Sequence, residues 1–275
     1  PTNNRIYDAG YTNIGGRDLY CLEKPYYGHG WLNLKSALET SCNIYFYELG
    51  VKTTIDTLSH WAGQFGLGKK TGIDLPSEVS GMMSSIELKK KLRNDIWRPA
   101  DTAQVAIGQF DNAFTPLQLA NYVATIANGG KRYTPYVIKK VVRYDGSIVN
   151  ETKPSYTKVP VKESTIDAVK EGMIAVAQGI DGTAYKSFIG LPFQVAGKTG
   201  TAQTSRDAKR SANALFVCYA PADDPQIAIA VVVERGAWGS NVAPIARDII
   251  DEYFGLKKAE SEKTVLKPEE PLFNQ

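Results

Sequence analysis

Three cysteines in 275 residues are too few for a disulfide framework, and Cys21, Cys42 and Cys218 allow one bridge at most. Charge of a single sign is missing too. The chain carries 32 Lys and Arg against 29 Asp and Glu, a formal net charge of +3. No basic face is interleaved with aromatics, so nucleic acid is not an expected partner. No apolar run approaches the roughly 20 residues that a membrane-spanning helix needs, no signal peptide opens the chain, and no internal repeat recurs. The first residues, Pro1-Thr2-Asn3-Asn4, lack an initiator methionine. The chain is therefore expected to be a piece of a longer polypeptide, and its missing targeting signals carry no weight.

What is present is ordinary for a globular protein: 43% hydrophobic and 22% charged residues, at a length that suits one large domain or two small ones. Residues 1–30, rich in Gly, Tyr, Asn and Pro, read as an irregular, turn-dense loop. Helical periodicity covers 34–49 and about 55–65, the second ended by Gly66-Leu67-Gly68. Residues 71–76 are expected to be extended, and 77–100 a charged loop with a helical turn at 85–92. Residues 101–108 lead into a turn. Thr115 suits an N-cap with Pro116 at the first helical position, opening a helix to about Asn128. Asp145-Gly146 predicts a hairpin within 135–150. Residues 163–178 form an amphipathic helix with Ile166, Val169, Met173, Ile174 and Ala177 on one stripe. Strands are expected over 193–203, 214–220 and 227–234, with a polar loop at 204–213, Cys218 as a buried strand thiol, and a closing helix over 243–253. Helices first and a late antiparallel sheet flanked by helices make an α+β layout. Residues 255–275, rich in Lys and Glu, are expected to be a mobile tail.

Two short triplets carry chemistry. Strand alternation puts Lys198 and Gly200 on one side and Thr199 and Thr201 on the other. A lysine beside two hydroxyls is a cationic, hydrogen-bonding ledge suited to a carboxylate. Glycine lets a substrate backbone or a neighbouring strand approach, and an exposed strand edge can bind an extended peptide. Ser41-Cys42-Asn43, at a helix start, offers a proton relay in Ser41 and an amide donor to a substrate carbonyl in Asn43. Taken alone, K-T-G reads equally as a solvated strand end, and S-x-N more often as a helix cap or a helix-interior polar than as a site. Together, K-T-G and S-x-N are two of the three parts of one serine acyl-transfer site.

The surrounding text narrows the reading. Gly28-His29-Gly30-Trp31-Leu32-Asn33-Leu34 precedes Ser41-Cys42-Asn43-Ile44-Tyr45-Phe46-Tyr47. Thr71-Gly72-Ile73-Asp74-Leu75-Pro76, Ala106-Ile107-Gly108-Gln109, Thr115-Pro116-Leu117-Gln118 and Ala127-Asn128-Gly129-Gly130 follow. Residues 195–203, 216–221 and 227–234 complete the series. In this order it resembles the transpeptidase domain of class B penicillin-binding proteins, nearest the elongation or sporulation subgroup, over residues 28–254. The resemblance implies a penicillin-binding, serine β-lactamase-like fold, an antiparallel sheet flanked by helices plus a helical subdomain, over 1–254. It implies a peptidoglycan D,D-transpeptidase that forms an acyl-enzyme on a serine, needs no cofactor for catalysis and is a target of β-lactams. Ser41, Asn43, Lys198 and Thr201 would be catalytic, and Thr199, Gly200, Thr201 and Gln203 substrate-binding. Thr201 would give a backbone N–H to the oxyanion and a hydroxyl to the substrate carboxylate. The expected location is the outer face of a bacterial cytoplasmic membrane, anchored by an N-terminal helix that this chain lacks.

One part of the pattern is missing. The nucleophilic S-x-x-K should open a buried helix, with serine and lysine one turn apart on one face. The one literal match, Ser155-Tyr156-Thr157-Lys158, lies between Pro154 and Pro160 and is taken as coincidence. The nucleophile is expected on a preceding segment, which thereby becomes a partner of this chain. Two rivals share the pattern: a β-lactamase or β-lactam sensor, for which no deacylating base is evident, and a peptidoglycan-binding scaffold without catalysis. Asp18, Cys21, His29 and Cys42 are ligand types that tetrahedral zinc accepts. Structural zinc, a Cys21–Cys42 disulfide and unrelated thiols all remain open. His60 reads as an ordinary helix residue.

Overall fold

Gly15 and Gly16 sit side by side at φ of 61° and 81°, the backbone that a two-residue hairpin turn requires. In the computed structural model of the chain, which describes residues 4–21, 27–204 and 212–256, they join β2 to β3 in a small N-terminal sheet layer. This layer comprises β1 (Ile6–Asp8), the hairpin β2 (Tyr11–Ile14) and β3 (Arg17–Tyr20), and β4 (Gly30–Leu32), with β1 paired antiparallel to β4. Within the expected irregular loop over 1–30, the described residues thus include three short strands and the start of a fourth; short two-residue turns rich in glycine hid the alternation.

The helix expected over 34–49 is two helices, α1 (Leu34–Glu39) and α2 (Asn43–Thr53). The break has a definite geometry. Ser41 lies in the left-handed region at φ 57°. The Cys42 N–H reaches back to the Ala37 carbonyl at 3.0 Å, and the Ser41 N–H to the Leu38 carbonyl at 3.2 Å. This is a Schellman helix ending with serine where glycine is usual. Cys42 then serves as the N-cap of α2, its Sγ accepting from the Tyr45 N–H at 3.4 Å.

Helix α3 (Ile55–Gln64) follows. Residues 71–76 form no strand; the Asp74 carboxylate accepts the N–H groups of Val137 at 2.7 Å and Ile138 at 2.9 Å. Helix α4 (Ile86–Arg93) starts at the Ser85 cap. Helix α5 (Pro99–Ala106) stands where a loop and a turn were expected. Its signals were Pro99 at the first helical position and Asp101, whose carboxylate caps the Arg98 N–H at 2.7 Å. Helix α6 (Pro116–Ala127) begins with the Thr115–Gln118 capping box. Short strands β5 (Lys131–Tyr133) and β8 (Tyr156–Lys158) pair. Between them, β6 (Lys140–Val142) and β7 (Ile148–Glu151) form the hairpin at Asp145-Gly146.

The long helix α7 (Glu163–Gln178) and the short α8 (Tyr185–Phe188) lead to a three-stranded antiparallel sheet. Its strands are β9 (Ala196–Ala202), β10 (Asn213–Ala220) and β11 (Ile227–Val233), in the order β11-β10-β9. Helix α9 (Ala243–Tyr253) follows the last strand. Alternate residues of β10 divide the core. Phe216 and Cys218 pack with Phe188, Val176 and the α9 residues Ala246 and Ile250. Tyr219 packs on the other face with Val123, Ile126, Ile166 and Met173 of α6 and α7. Fully burying each such side chain is worth about 1.5–3 kcal/mol. The sheet is therefore helix-covered on both faces, while β9 keeps one edge free of strand partners among the described residues. A third core joins β1, β3, β4, α1, α2 and α5, with Ile44 and Ala103 fully buried in it.

Candidate active site

The left-handed turn that ends α1 points Ser41 at the sheet. Lys198, in β9, donates from Nζ to Ser41 Oγ at 2.7 Å, across 157 positions of sequence. The same ammonium donates to the Thr199 carbonyl at 3.0 Å. Burial lowers the Lys198 ammonium to about 8, because losing water penalises the charged form. The group can thus hold or release a proton near neutral pH, which an acid–base relay requires. Asn43 is the first residue of α2, two positions on, and its side-chain amide makes no hydrogen bond with the other described residues.

The two motif-bearing elements are tied by Thr183, in the turn after α7. Its N–H donates to the Glu39 carbonyl of α1 at 3.3 Å. Its hydroxyl shares a 2.7 Å hydrogen bond with the Thr199 hydroxyl of β9. Thr199 therefore spends its side chain on the scaffold, on the face opposite Lys198. Thr201 Oγ accepts from the Gly239 N–H at 3.2 Å. A Cβ on Gly239 would stand 2.4 Å from the Gly200 carbonyl, so the 239 turn can lie against β9 only as glycine. Beyond the cleft, the Gln109 side chain donates to the Thr201 carbonyl at 2.7 Å and accepts from the Gln203 N–H at 3.2 Å. Ser41 and Lys198 are thus brought into contact, Asn43 stands two residues from Ser41, and Thr199, Gly200 and Thr201 follow Lys198 along β9, with Gln203 just past its end. Nothing in the sequence marked Thr183 as a tie. Gln109 lay in a recognised segment without a role.

Ser155 precedes strand β8, its carbonyl accepting from the Thr134 N–H at 3.0 Å, and Lys158 Nζ bonds the Gly129 carbonyl at 2.5 Å. No helix starts there.

Behind Ser41 lies a cluster of ligand-type side chains: Asp8, Cys21, His29 and Cys42, whose donor atoms all fall within 4.8 Å of one another. The sequence reading offered Asp18 in this set, and that is corrected. Asp18 sits exposed on β3, bonded to the Asn13 amide across the hairpin at 2.6 Å. Asp8 takes its place because pairing of β1 with β4 sets Asp8 opposite Gly30, beside His29. A Cβ on Gly28 would fall 1.9 Å from the Asp8 carbonyl, so the approach depends on that glycine. Asp8 Oδ2 lies 2.6 Å from His29 Nδ1 and 3.2 Å from Cys42 Sγ. Cys21 Sγ lies 3.5 Å from His29 Nδ1 and 3.9 Å from Cys42 Sγ. The two thiols are not bonded to each other. The hydrogen bond between Cys21 and Cys42 lowers the Cys21 thiol to about 5 against the effect of burial, and the same bond raises Cys42. His29 is raised to about 9, first by Cys21 and then, against its burial, by Asp8. Burial opposes charge on Asp8, but the bonds from His29, Gly10 and Cys42 outweigh it and hold the carboxyl below its usual range.

The family model of the penicillin-binding protein transpeptidase domain matches residues 1–251. The peptidoglycan D,D-transpeptidase MrdA of Acinetobacter baumannii is 36% identical over 275 residues, covering 92% of this chain and 39% of that protein. Pseudomonas aeruginosa PBP2, in its crystal structure with WCK 5153, superposes with a TM-score of 0.82 at 35% identity, over 96% of this chain and 57% of that one. Helicobacter pylori PBP2, in its complex with MreC, superposes at 0.81 and 32% identity, over 94% and 46%. The chain spans about two fifths of the length of the curated relatives it matches.

Proposed function

The chain belongs to the penicillin-binding protein transpeptidase family, and from that premise we propose that it supplies most of the acyl-transfer site of a peptidoglycan D,D-transpeptidase. The observation that carries this reading is the 2.7 Å contact between Lys198 Nζ and Ser41 Oγ. A serine on a segment preceding this chain gives its proton to the lysine paired with it there and attacks the carbonyl of the penultimate D-alanine of a stem peptide. The bond to the terminal D-alanine breaks, and the leaving nitrogen needs a proton. Ser41 accepts from Lys198, so its own hydrogen is free to face that nitrogen. As Ser41 gives it up, Lys198 supplies the replacement. The outward N–H of Thr201 stabilises the oxyanion, and the Thr201 hydroxyl binds the substrate carboxylate. The Asn43 amide holds a substrate carbonyl, Thr199 and Gly200 present the strand backbone, and Gln203 closes the subsite. The amine of a second stem then displaces the serine, its released proton returning through Ser41 to Lys198 while the paired lysine reprotonates the serine oxygen. A β-lactam takes the place of the first stem and stays attached to the serine. The full protein is placed on the outer face of the bacterial cytoplasmic membrane, held by a preceding anchor; among the described residues no helix is long and apolar enough to cross a membrane. Residues 1–254 form the domain part of this chain and 255–275 its tail, of which 257–275 lie outside the described residues.

The test is intact mass and peptide mapping of the full-length protein after incubation with a β-lactam. The expected result is one drug adduct on a serine preceding this chain. An adduct on Ser155 or elsewhere within 1–275 overturns the placement of the nucleophile, and no adduct overturns the function.

A structural zinc at Asp8, Cys21, His29 and Cys42 is part of the same proposal. Tetrahedral zinc with bonds of about 2.0–2.3 Å sets its donor atoms roughly 3.3–3.8 Å apart. Of the sulfur contacts, Cys21–His29 at 3.5 Å lies within that spacing, and Cys42–Asp8 at 3.2 Å and Cys21–Cys42 at 3.9 Å fall just either side of it. The Asp8–His29 contact, at 2.6 Å, is a direct hydrogen bond that an ion would open slightly. When bound, the metal ties β1, the loop before β4 and the S-x-N turn together. Metal analysis of the purified protein should give one zinc per chain, and a content near zero refutes this.

A further inference from the structure

The outward edge of β9 is only partly open. Thr201 presents its carbonyl, and Gln203 its N–H, away from β10. One side chain, the Gln109 carboxamide, satisfies both. Donating to residue i−1 and accepting from residue i+1 is what a single residue of a parallel neighbouring strand does. Gln109 therefore stands in for one residue of a strand that is not there. At the other end of the cleft, the Lys198 ammonium covers the Thr199 carbonyl. The Thr201 N–H lies between these two donors.

The backbone around Gln109 is built to hold it. Gly108 at φ 78° and Phe110 at φ 71° bracket it, and a bulky residue persists in that region only when its surroundings enforce it. Here they do. The Trp97 ring meets the Phe110 ring edge-on at 5.4 Å, and the Arg93 guanidinium lies 4.7 Å over its face. Arg93 also pairs with Asp111. The Asn112 side chain bonds the Ser84 N–H at 3.0 Å and the Val105 carbonyl at 3.3 Å. The Gln109 N–H itself bonds the Gln104 carbonyl of α5 at 3.0 Å.

We infer that Gln109 is a positioning residue that closes the edge of β9 at Thr201: it fixes the Thr201 peptide plane with its N–H toward the cleft, and it stops an extended acyl donor from pairing beyond that residue. The inference rests on the transpeptidase reading for its consequence in acylation, but the clamp itself can be measured separately. The experiment compares wild type, Gln109→Ala and Gln109→Glu in the full-length protein. Amide hydrogen exchange is followed at Gln203 and Gly200, and the acylation rate is followed with a fluorescent penicillin. In Gln109→Ala the Gln203 N–H should lose protection while Gly200, paired to β10, keeps it, and acylation should fall by ~10–100-fold, the cost of a misplaced donor. Glutamate keeps an acceptor for Gln203 but has no donor for Thr201. Gln109→Glu should therefore retain Gln203 protection and still lose acylation. Unchanged exchange at Gln203 in Gln109→Ala overturns the clamp whatever the enzyme does. Wild-type acylation by Gln109→Glu overturns the positioning role. A wild-type protein that penicillin does not label defeats the proposed function, and the exchange comparison still decides the clamp.

Discussion

Ser41 is asked to do two things that conflict. It ends helix α1 in a left-handed conformation at φ 57°, where a side chain costs about 1–2 kcal/mol and glycine costs almost nothing. It also carries the hydroxyl that Lys198 addresses at 2.7 Å. Stability and chemistry therefore want different residues at this position, and strain kept at a reactive group is what a functional site leaves behind. Replacing Ser41 with glycine should raise stability or leave it level, by up to about 1 kcal/mol in the favourable direction, while β-lactam acylation falls by ~100-fold or more for want of the relay. Ser41→Ala gives the control: the same loss of hydroxyl with the strain retained, hence equal loss of rate without the gain in melting temperature. Paired thermal-unfolding and acylation measurements would read both. Equal melting temperatures for the glycine and alanine variants would show that the turn stores no strain.

Helix α5 holds the Gln109 clamp, and a buried charge holds α5. Lys89 of α4 is 3% exposed. Its ammonium reaches Asp101 at 2.7 Å, the Ile96 carbonyl at 2.6 Å and Asp95 at 3.1 Å. Asp101 in turn caps α5 through the Arg98 N–H. Removing one partner of such a pair leaves an uncompensated buried charge, so Lys89→Met should cost about 3–5 kcal/mol in denaturant unfolding. The double variant Lys89→Met/Asp101→Asn should recover part of that, because asparagine keeps the cap oxygen without the charge. A single variant within about 0.5 kcal/mol of wild type would show that α5 does not depend on the pair. The sequence disclosed only the start of this element, at Pro99 and Asp101, because eight residues with mixed polarity have too weak a period to stand out, and its support comes from a lysine 12 positions away. The α6 helix was legible for the opposite reason: Thr115, Pro116 and Gln118 form a cap that is complete within four residues. The break at Ser41 was hidden because serine does not announce a left-handed turn as glycine does.

At the scale of the whole molecule, what could be read in advance was local text in a fixed order. The strands β9 to β11 and the S-x-N and K-T-G triplets were legible in this way. Contacts between distant segments were not. Asp8 belongs with His29 only because β1 pairs with β4, and nothing in the sequence near Asp8 distinguishes it from Asp18. The same long-range closure makes the cluster a test of how the N-terminal layer is held. Asp8, Cys21, His29 and Cys42 come from β1, the ends of the loop between β3 and β4, and the turn that carries Ser41. A metal bound there stabilises the folded state alone, and at a concentration 100 times its dissociation constant contributes about 2.7 kcal/mol. Treating the full-length protein with a strong chelator should therefore lower its melting temperature, and zinc should restore it. Cys42→Ala, which deletes a ligand and the cap of α2, should melt low with or without chelator. Because Cys42 adjoins Ser41, chelation should also slow β-lactam acylation, through displacement of the Ser41 turn from Lys198. A melting temperature indifferent to chelator, in a protein that contains no zinc, would leave Asp8, His29 and the two thiols as a metal-free hydrogen-bonded network that alone holds the turn.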